Sequence, residues 1–441
     1  MTRFSVGESP QFRARQAPLS CWLLIALVSC SPYLPMLHDH FPIRAFGYSL
    51  FVTVMPTVML AVTFVIAAAK RPALLGIPVL MSLCCICVAA LRIASGISDR
   101  SFFQNMVDLR YLALVPLFIA VSLSGMSHQS FGGWVPKIII FNGVVAGLVG
   151  ILYSIGWFHY RVQPAEGDLA VYLAGTQTRS SGLFAGPNFY GNFLVIPLLL
   201  LRFNSSLPKS MRVGAGCIIL AGIVTSSSRN ALFSSFLVLA SMVLEQRRIA
   251  VWKRGVQVLA LGFMLVLVQH IGWSSATEIK TRITEDTPYS AENRLNKARI
   301  GVTALQRNTW TLLAGAYASD LSLSESGEYQ FSDNSFIMVV VSAGLPVGLL
   351  FFGLVATRMR MRSWCGHRLE SMTMVGIVTS TLLLNNAILW DVWLLYIAIS
   401  YAVIFQIRSR RHCCAARTQL LSRLGVPRTR LQKIHEGATA K

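Results

Sequence analysis

Two arginines in short polar stretches have the chemistry to bind a diphosphate at the edge of a membrane. Arg179 lies in RSSGLFAGPN and Arg229 lies in SSSRNALF, and each stretch leads directly into an apolar run. The arginine guanidinium is a planar fork of N–H donors that matches phosphate oxygens. Two such groups at one depth, on one side of a membrane, could hold a pyrophosphate and neutralise its charge as it leaves.

The Gly-Pro-Asn turn after Arg179 indicates the same region. Gly186 and Pro187 favour a turn, and Asn188 can cap the helix that follows. The positive end of that helix dipole would then face the two arginines. We therefore expect Asn188 to support the diphosphate site.

A third basic residue and a carboxylate belong to the same candidate site. Arg294 lies in PYSAENRLNKARIGVTALQR, whose apolar spacing predicts a short helix. Asp333 and Asn334 begin DNSFIMVVVSAGLPVGLL, an apolar run. A partly desolvated Asp333 carboxylate is suited to general-base chemistry on a hydroxyl group, with Asn334 in support.

Each of these residues also has an ordinary structural interpretation. Arg179 or Arg229 can extend to lipid headgroup phosphates, and Arg294 can rest on the same surface. Asp333 can act simply as the cap of the helix that follows it. The residues alone leave both interpretations open.

The elements that would position these groups are membrane-spanning helices. The chain has 441 residues, of which 54% are hydrophobic and 13% are charged, whereas a soluble domain carries about a quarter charged residues. Its apolar runs are long enough to cross a bilayer. We predict an all-α, polytopic membrane protein with about 12 transmembrane helices. The expected spans are 19–36, 46–69, 73–95, 107–125, 135–157, 188–203, 213–228, 230–246, 255–273, 334–357, 371–388 and 390–407.

The basic residues indicate the orientation of these spans. The net charge is +21, and most Lys and Arg residues fall on one side when both termini are cytoplasmic. The charge is therefore a topology signal rather than a nucleic-acid surface. The chain divides into a cytoplasmic N-tail (1–18), helices 1–9 (19–273), one large external loop (274–333), helices 10–12 (334–407) and a basic cytoplasmic tail (408–441).

The sequence predicts no metal site and no cofactor. Of the nine cysteines, three cluster at Cys84, Cys85 and Cys87 inside an apolar run without a nearby histidine, which favours packing over metal binding. No cysteine falls in an expected external loop, so we expect no structural disulfide.

The order of the polar motifs resembles that of the O-antigen ligase and O-antigen polymerase superfamily. RSSGLFAGPN, SSSRNALF, a long external loop and DNSFIMVVVSAGLPVGL follow one another over roughly residues 175–350. The resemblance implies a bacterial inner-membrane glycosyltransferase, with the active site and the large loop facing the periplasm. It also implies that Arg179, Arg229 and Arg294 bind the pyrophosphate of an undecaprenyl-pyrophosphate-linked glycan.

One departure from the family pattern separates two expectations. Ligases of this family present His-Asn where this chain has Asp333-Asn334. The pair therefore favours a polymerase of O-antigen or exopolysaccharide repeat units over a ligase that transfers glycan to lipid A–core. Membrane lipids, a flippase and a chain-length regulator are the expected partners. A transporter without chemistry is the third alternative, for which the intramembrane charges Arg92, Asp108 and Arg110 are the support.

Overall fold

The structure is a computed structural model that describes the helical body of the chain. The fold and site are described for residues 19–34, 37, 41, 43–45, 48–50, 54–70, 76–98, 101–125, 129–155, 157, 180, 182–184, 186–203, 207–226, 228–244, 253–260, 262, 299, 302–303, 305–306, 309–315, 334–363, 368–384 and 393–404. This part is almost entirely helical, which confirms the predicted all-α class. Within it, strand β1 (Arg44–Ala45) pairs antiparallel with β2 (Tyr48–Ser49).

The helices follow the apolar runs of the sequence. In chain order they are α1 (Leu19–Cys30), α2 (Met55–Lys70), α3 (Gly76–Ala94), α4 (Phe102–Asp108), α5 (Arg110–Gly125), α6 (Gln129–Ser154), α7 (Pro187–Phe203), α8 (Lys209–Ser226), α9 (Arg229–Leu244), α10 (Thr309–Ala314), α11 (Ser335–Ala343), α12 (Leu345–Ser363), α13 (Arg368–Leu384) and α14 (Trp393–Ile404). A 3-10 turn (Ser31–Tyr33) extends α1.

Three helical segments of the described chain are long and apolar enough to cross a membrane. They are Gly76–Ala94, Gly133–Ser154 and Lys209–Ser226. The described chain also has shorter apolar helices, including α9 and α14. A helix satisfies the backbone hydrogen bonds of its interior residues internally, which is what a segment in lipid requires.

Helix α7 lies at the centre of the bundle. Every residue from 190 to 201 is buried, and α7 packs against α6, α8 and α9. The Tyr190 hydroxyl donates to the Ala146 carbonyl oxygen of α6 at 3.2 Å. Neighbours on all sides explain why this run is apolar around its whole circumference. They also hold the first turn of α7 in a defined place.

The predicted tenth span is wrong as one continuous helix. Helix α11 ends at Ala343, and Gly344 then adopts φ +82° and ψ 158°, a conformation that only glycine adopts readily. Helix α12 folds back along α11. The Phe336 and Phe352 rings lie 4.8 Å apart between centroids, and a Cβ placed on Gly348 would lie 3.1 Å from the Val340 Cα.

Helices α11 and α12 form a hairpin, so the predicted span 334–357 is divided into two shorter helices that run in opposite directions. In a continuous helix, residues 340 and 348 would be separated by about 12 Å, at 1.5 Å per residue. Their contact therefore requires a sharp reversal at Gly344. Asn334 and Gly344 lie at opposite ends of α11, which is nine residues long.

Most of the predicted large loop (274–333) lies outside the described residues. Arg299 and residues 302–303 and 305–306 are helical, in agreement with the helix predicted there. Leu305 is buried with Val341 of α11 in a small apolar cluster. The Thr311 hydroxyl of α10 donates to the Leu305 carbonyl oxygen at 3.2 Å. Leu305 and α10 thus pack on the hairpin.

Candidate functional site

Half of the predicted site residues fall within the described chain. Arg229, Asn188 and Asn334 are described, whereas Arg179, Arg294 and Asp333 lie outside the described residues. The geometry of the site is therefore built from the first three and from their neighbours.

Arg229 is the first residue of α9, and its side chain is exposed. The residue before it, Ser228, is buried, and its hydroxyl accepts the Ala231 backbone N–H at 3.4 Å. Ser228 therefore caps the helix while Arg229 faces outward. A cation at the positive end of a helix dipole does not stabilise that helix. The Arg229 charge and the helix dipole together create a positive potential at the start of α9 instead.

The two arginine motifs meet in space although they are distant in the sequence. The backbone N–H of Ser180, in RSSGLFAGPN, donates to the Thr225 carbonyl oxygen at 3.0 Å. Thr225 directly precedes SSSRNALF. Gly191 of α7 lies close to this turn, since a Cβ placed there would be 3.0 Å from the Ser228 Cβ. The first turns of α7 and α9 and the last turn of α8 are thus neighbours.

Asn188 lies within the first turn of α7 rather than at the position before it. The helix begins at Pro187. The prediction that Asn188 caps this helix is therefore wrong, because Asn188 is its second residue. Its carbonyl oxygen accepts the Asn192 side-chain N–H at 2.8 Å. Asn188 therefore helps to orient Asn192, one turn further into the helix.

Asn192 belongs to a buried polar network beneath Arg229. The Asn230 Nδ2 donates to Asn192 Oδ1 at 2.8 Å and to Thr381 Oγ1 at 3.2 Å. The Thr381 hydroxyl also donates to Asn192 Oδ1, at 3.3 Å. The Asn230 Oδ1 is buried and accepts no hydrogen bond from the described residues. The network joins α7, α9 and α13 next to the residue predicted to bind phosphate.

Asn334 is the N-cap of α11. Its side-chain oxygen accepts the backbone N–H groups of Phe336 at 2.9 Å and Ile337 at 3.1 Å. The cap position that could have explained Asp333 is therefore occupied by the next residue along the chain. Helices α9 and α11 both pack against α13. Arg229 and Asn334 thus begin two helices that share a neighbour.

The sequence did not identify the network of Asn192, Asn230 and Thr381. A signal was present, because Asn192 follows Asn188 by one helical turn and Asn230 directly follows Arg229. Amides inside apolar runs are costly unless they find partners, so their presence indicates contacts between helices. Which helices would meet could not be predicted without their packing.

The described residues include no group of three or more His, Cys, Asp or Glu side chains that could hold a metal ion. The predicted chemistry depends on arginine, amide and carboxylate groups instead. Comparison with models of known protein families gives no match, and comparison with curated proteins gives none either.

Proposed function

We propose that the chain is an inner-membrane glycosyltransferase that polymerises undecaprenyl-pyrophosphate-linked repeat units into O-antigen or exopolysaccharide. It crosses the membrane about 12 times, with both termini in the cytoplasm and with residues 274–333 in the periplasm. The observation that carries the proposal is the hydrogen bond between Ser180 and Thr225. It supports a common site for two motifs whose arginines are 50 positions apart, 179 and 229.

The diphosphate of the donor binds among positive groups at this end of the bundle. Arg229 is exposed at the start of α9, and the start of α7 is beside it. Two helix ends with their unpaired N–H groups attract phosphate. Arg179 and Arg294 complete the set in the proposal. Undecaprenyl pyrophosphate is then a stabilised leaving group, so the reaction needs neither a nucleotide nor a metal.

The transfer itself joins two lipid-linked glycans. A hydroxyl group on the acceptor repeat unit attacks the anomeric carbon of the donor glycan. Asp333 accepts the hydroxyl proton, a glycosidic C–O bond forms, and the bond from the anomeric carbon to the pyrophosphate oxygen breaks. Asn334 supports this part of the site by starting α11 directly after Asp333. The glycan is thereby lengthened by one repeat unit or more, and lipid pyrophosphate is released.

The proposed role of Arg229 in binding the donor diphosphate is tested by replacing it with lysine in the purified protein. Lysine retains the charge but cannot form a bidentate bond to phosphate. Loss of one hydrogen bond to a charged group costs about 1.5–3 kcal/mol, so polymerisation should slow by about 10- to 160-fold. The rate is read from the glycan length formed from lipid-linked repeats.

Arg212→Lys is the matched control for this variant. Arg212 lies in the first turn of α8, at the opposite end of that helix from Thr225. Its replacement should leave the polymerisation rate unchanged. Equal rates for the wild type, Arg229→Lys and Arg212→Lys would contradict a phosphate-binding role for Arg229.

Ligation to lipid A–core remains the alternative within the same class. The Asp333-Asn334 pair favours polymerisation, because ligases of the family that the motifs resemble have a histidine in place of the aspartate. Incubation with lipid-linked repeats alone separates the two reactions. A polymerase lengthens the glycan without a core acceptor, whereas a ligase does not.

A transporter is the second candidate function, and the reversal at Gly344 is the observation that favours it. Transporters bind their substrates where membrane helices are interrupted, with charged groups nearby. Arg92 is buried next to this interruption. Accumulation of lipid-linked or free oligosaccharide in proteoliposomes, without any change in glycan length, would support transport over transfer.

A further inference from the structure

Arg92 of α3 is a buried arginine near the end of a helix long enough to cross a membrane. Only 1% of its surface is exposed. A buried charge at such a position is costly unless the surroundings supply hydrogen-bond partners. The Nε donates to the Ala314 carbonyl oxygen at 3.0 Å, and an Nη donates to the Ser342 carbonyl oxygen. The other Nη donates to Asn105 Oδ1 at 3.4 Å.

The two carbonyl groups belong to the C-terminal ends of two short helices. Ala314 is the last residue of α10, and Ser342 is the last but one of α11. Carbonyl groups at a helix C-terminus have no partner within the helix and carry a partial negative charge. One guanidinium therefore satisfies the ends of both helices. Its planar fork can do so in a way that a single ammonium group cannot.

Two glycines allow the helix ends to come this close. Gly315 follows α10 with φ +79° and Gly344 follows α11 with φ +82°. A Cβ on Gly315 would lie 2.5 Å from the Ser342 carbonyl oxygen, and a Cβ on Gly344 would lie 2.5 Å from the Leu313 carbonyl carbon. The backbones of the two helix ends are thus in direct contact beside Arg92.

Helix α11 carries the effect of this contact to the other end of the hairpin. Its C-terminal end is bound by Arg92 and its N-terminal end is capped by Asn334. Nine helical residues span about 13 Å. The Tyr111 hydroxyl also bonds to the Ser342 hydroxyl, which fixes the same end to α5. We therefore expect a displacement of Ser342 to be passed along α11 to its start.

We propose that Arg92 is a positioning residue for glycan transfer, which holds the α11–α12 hairpin so that the start of α11, at Asn334, keeps its place beside the acceptor. The inference rests on the proposed function. Arg92 acts through α11 and does not touch the diphosphate. Its loss should therefore lower kcat while leaving the KM for the lipid-linked donor unchanged.

The hairpin has a readout that does not depend on activity. The Val340 Cβ lies 3.5 Å from the position of a Cβ on Gly348, at the lower limit of the range of about 3.5–4.5 Å found in disulfides. The double variant Val340→Cys/Gly348→Cys should crosslink under mild oxidation. Mass spectrometry identifies this bond among those of the native cysteines, and each single variant is the control.

The test combines this crosslink with the kinetics of Arg92→Gln. We expect a lower crosslink yield and a kcat reduced by about tenfold or more, because a displacement of about 1 Å costs up to a hundredfold in rate. Arg92→Lys should retain part of the crosslink yield and part of the kcat. It replaces Arg92→Gln in the test if that variant does not fold. Arg202→Gln is the matched control, since Arg202 donates to Ser241, away from the hairpin.

Four results would overturn the inference. The first three are an unchanged kcat in both Arg92 variants, a lost crosslink with normal kcat, and a reduced kcat with an intact crosslink. The fourth is an increase in donor KM without a change in kcat, because that result belongs to the diphosphate site. Failure of the wild-type protein to lengthen any glycan would instead overturn the proposed function, and the crosslink would still report on the hairpin.

Discussion

Replacing Gly344 with alanine distinguishes a helical hairpin from a continuous helix by the sign of the stability change. In the hairpin, Gly344 has φ +82° and lies against the Leu313 backbone. A continuous helix over 334–357 would place the same glycine in its interior. Alanine is unfavourable in the first case and favourable in the second.

The magnitude follows from the two local environments. A side chain forced into this backbone conformation costs about 1–3 kcal/mol, and overpacking against the Leu313 carbonyl costs about 1–3 kcal/mol more. Gly344→Ala should therefore destabilise the protein by about 2–6 kcal/mol. In the interior of a continuous helix it would stabilise by about 0.5–1 kcal/mol.

Gly353→Ala is the matched control on α12. Gly353 lies in the middle of that helix, and a Cβ placed on it meets nothing within 4 Å. This variant should gain about 0.5–1 kcal/mol, whichever way α11 runs. Both variants are compared with the wild type by SDS-induced unfolding in detergent micelles, followed by circular dichroism. A Gly344→Ala protein as stable as Gly353→Ala would refute the hairpin.

The remaining predictions concern two polar contacts of the site. Asn334→Ala removes the cap of α11 and should lower the free energy of unfolding by about 1 kcal/mol in the same assay. Asn334→Asp should retain most of that stability, because aspartate also caps helices. Equal stability of the two variants would contradict the cap. Asn230→Ala and Thr381→Val should show a coupling energy of about 0.5–3 kcal/mol in a double-mutant cycle, because they share a buried network. Strict additivity would mean that the two side chains do not interact.

Hydropathy and the polar residues between apolar runs predicted much of the helical body. The expected span 188–203 corresponds to α7 (Pro187–Phe203), and the expected span 230–246 corresponds to α9 (Arg229–Leu244). In the sequence, each of these apolar runs is followed by polar residues, and that contrast marks a helix end. The same contrast is missing at Gly344, which lies between apolar neighbours.

The reversal at Gly344 could not be predicted from hydropathy, because hydropathy carries no direction. The sequence AGLPVG contains a glycine followed two residues later by a proline, which permits a break but does not require it. What makes the reversal stable is the contact of α11 and α12 with α10 and Arg92. These partners come from distant parts of the chain.

The polar contacts of the site show the same limit. Arg92 was predicted to be an intramembrane charge, but two of its partners are backbone carbonyl groups, at residues 314 and 342. Every residue has such a carbonyl group, so no side-chain pattern could identify these two. The pairing of Asn192 with Asn230 likewise depends on how α7 and α9 pack.

The most direct measurement uses the purified wild-type protein in liposomes with an undecaprenyl-pyrophosphate-linked repeat unit. Core lipid and nucleotide sugars are left out, and a metal chelator is present. The proposed function predicts that the glycan lengthens and that one undecaprenyl pyrophosphate is released for each new linkage. An unaltered repeat unit with no release of lipid pyrophosphate would contradict glycan transfer by this protein.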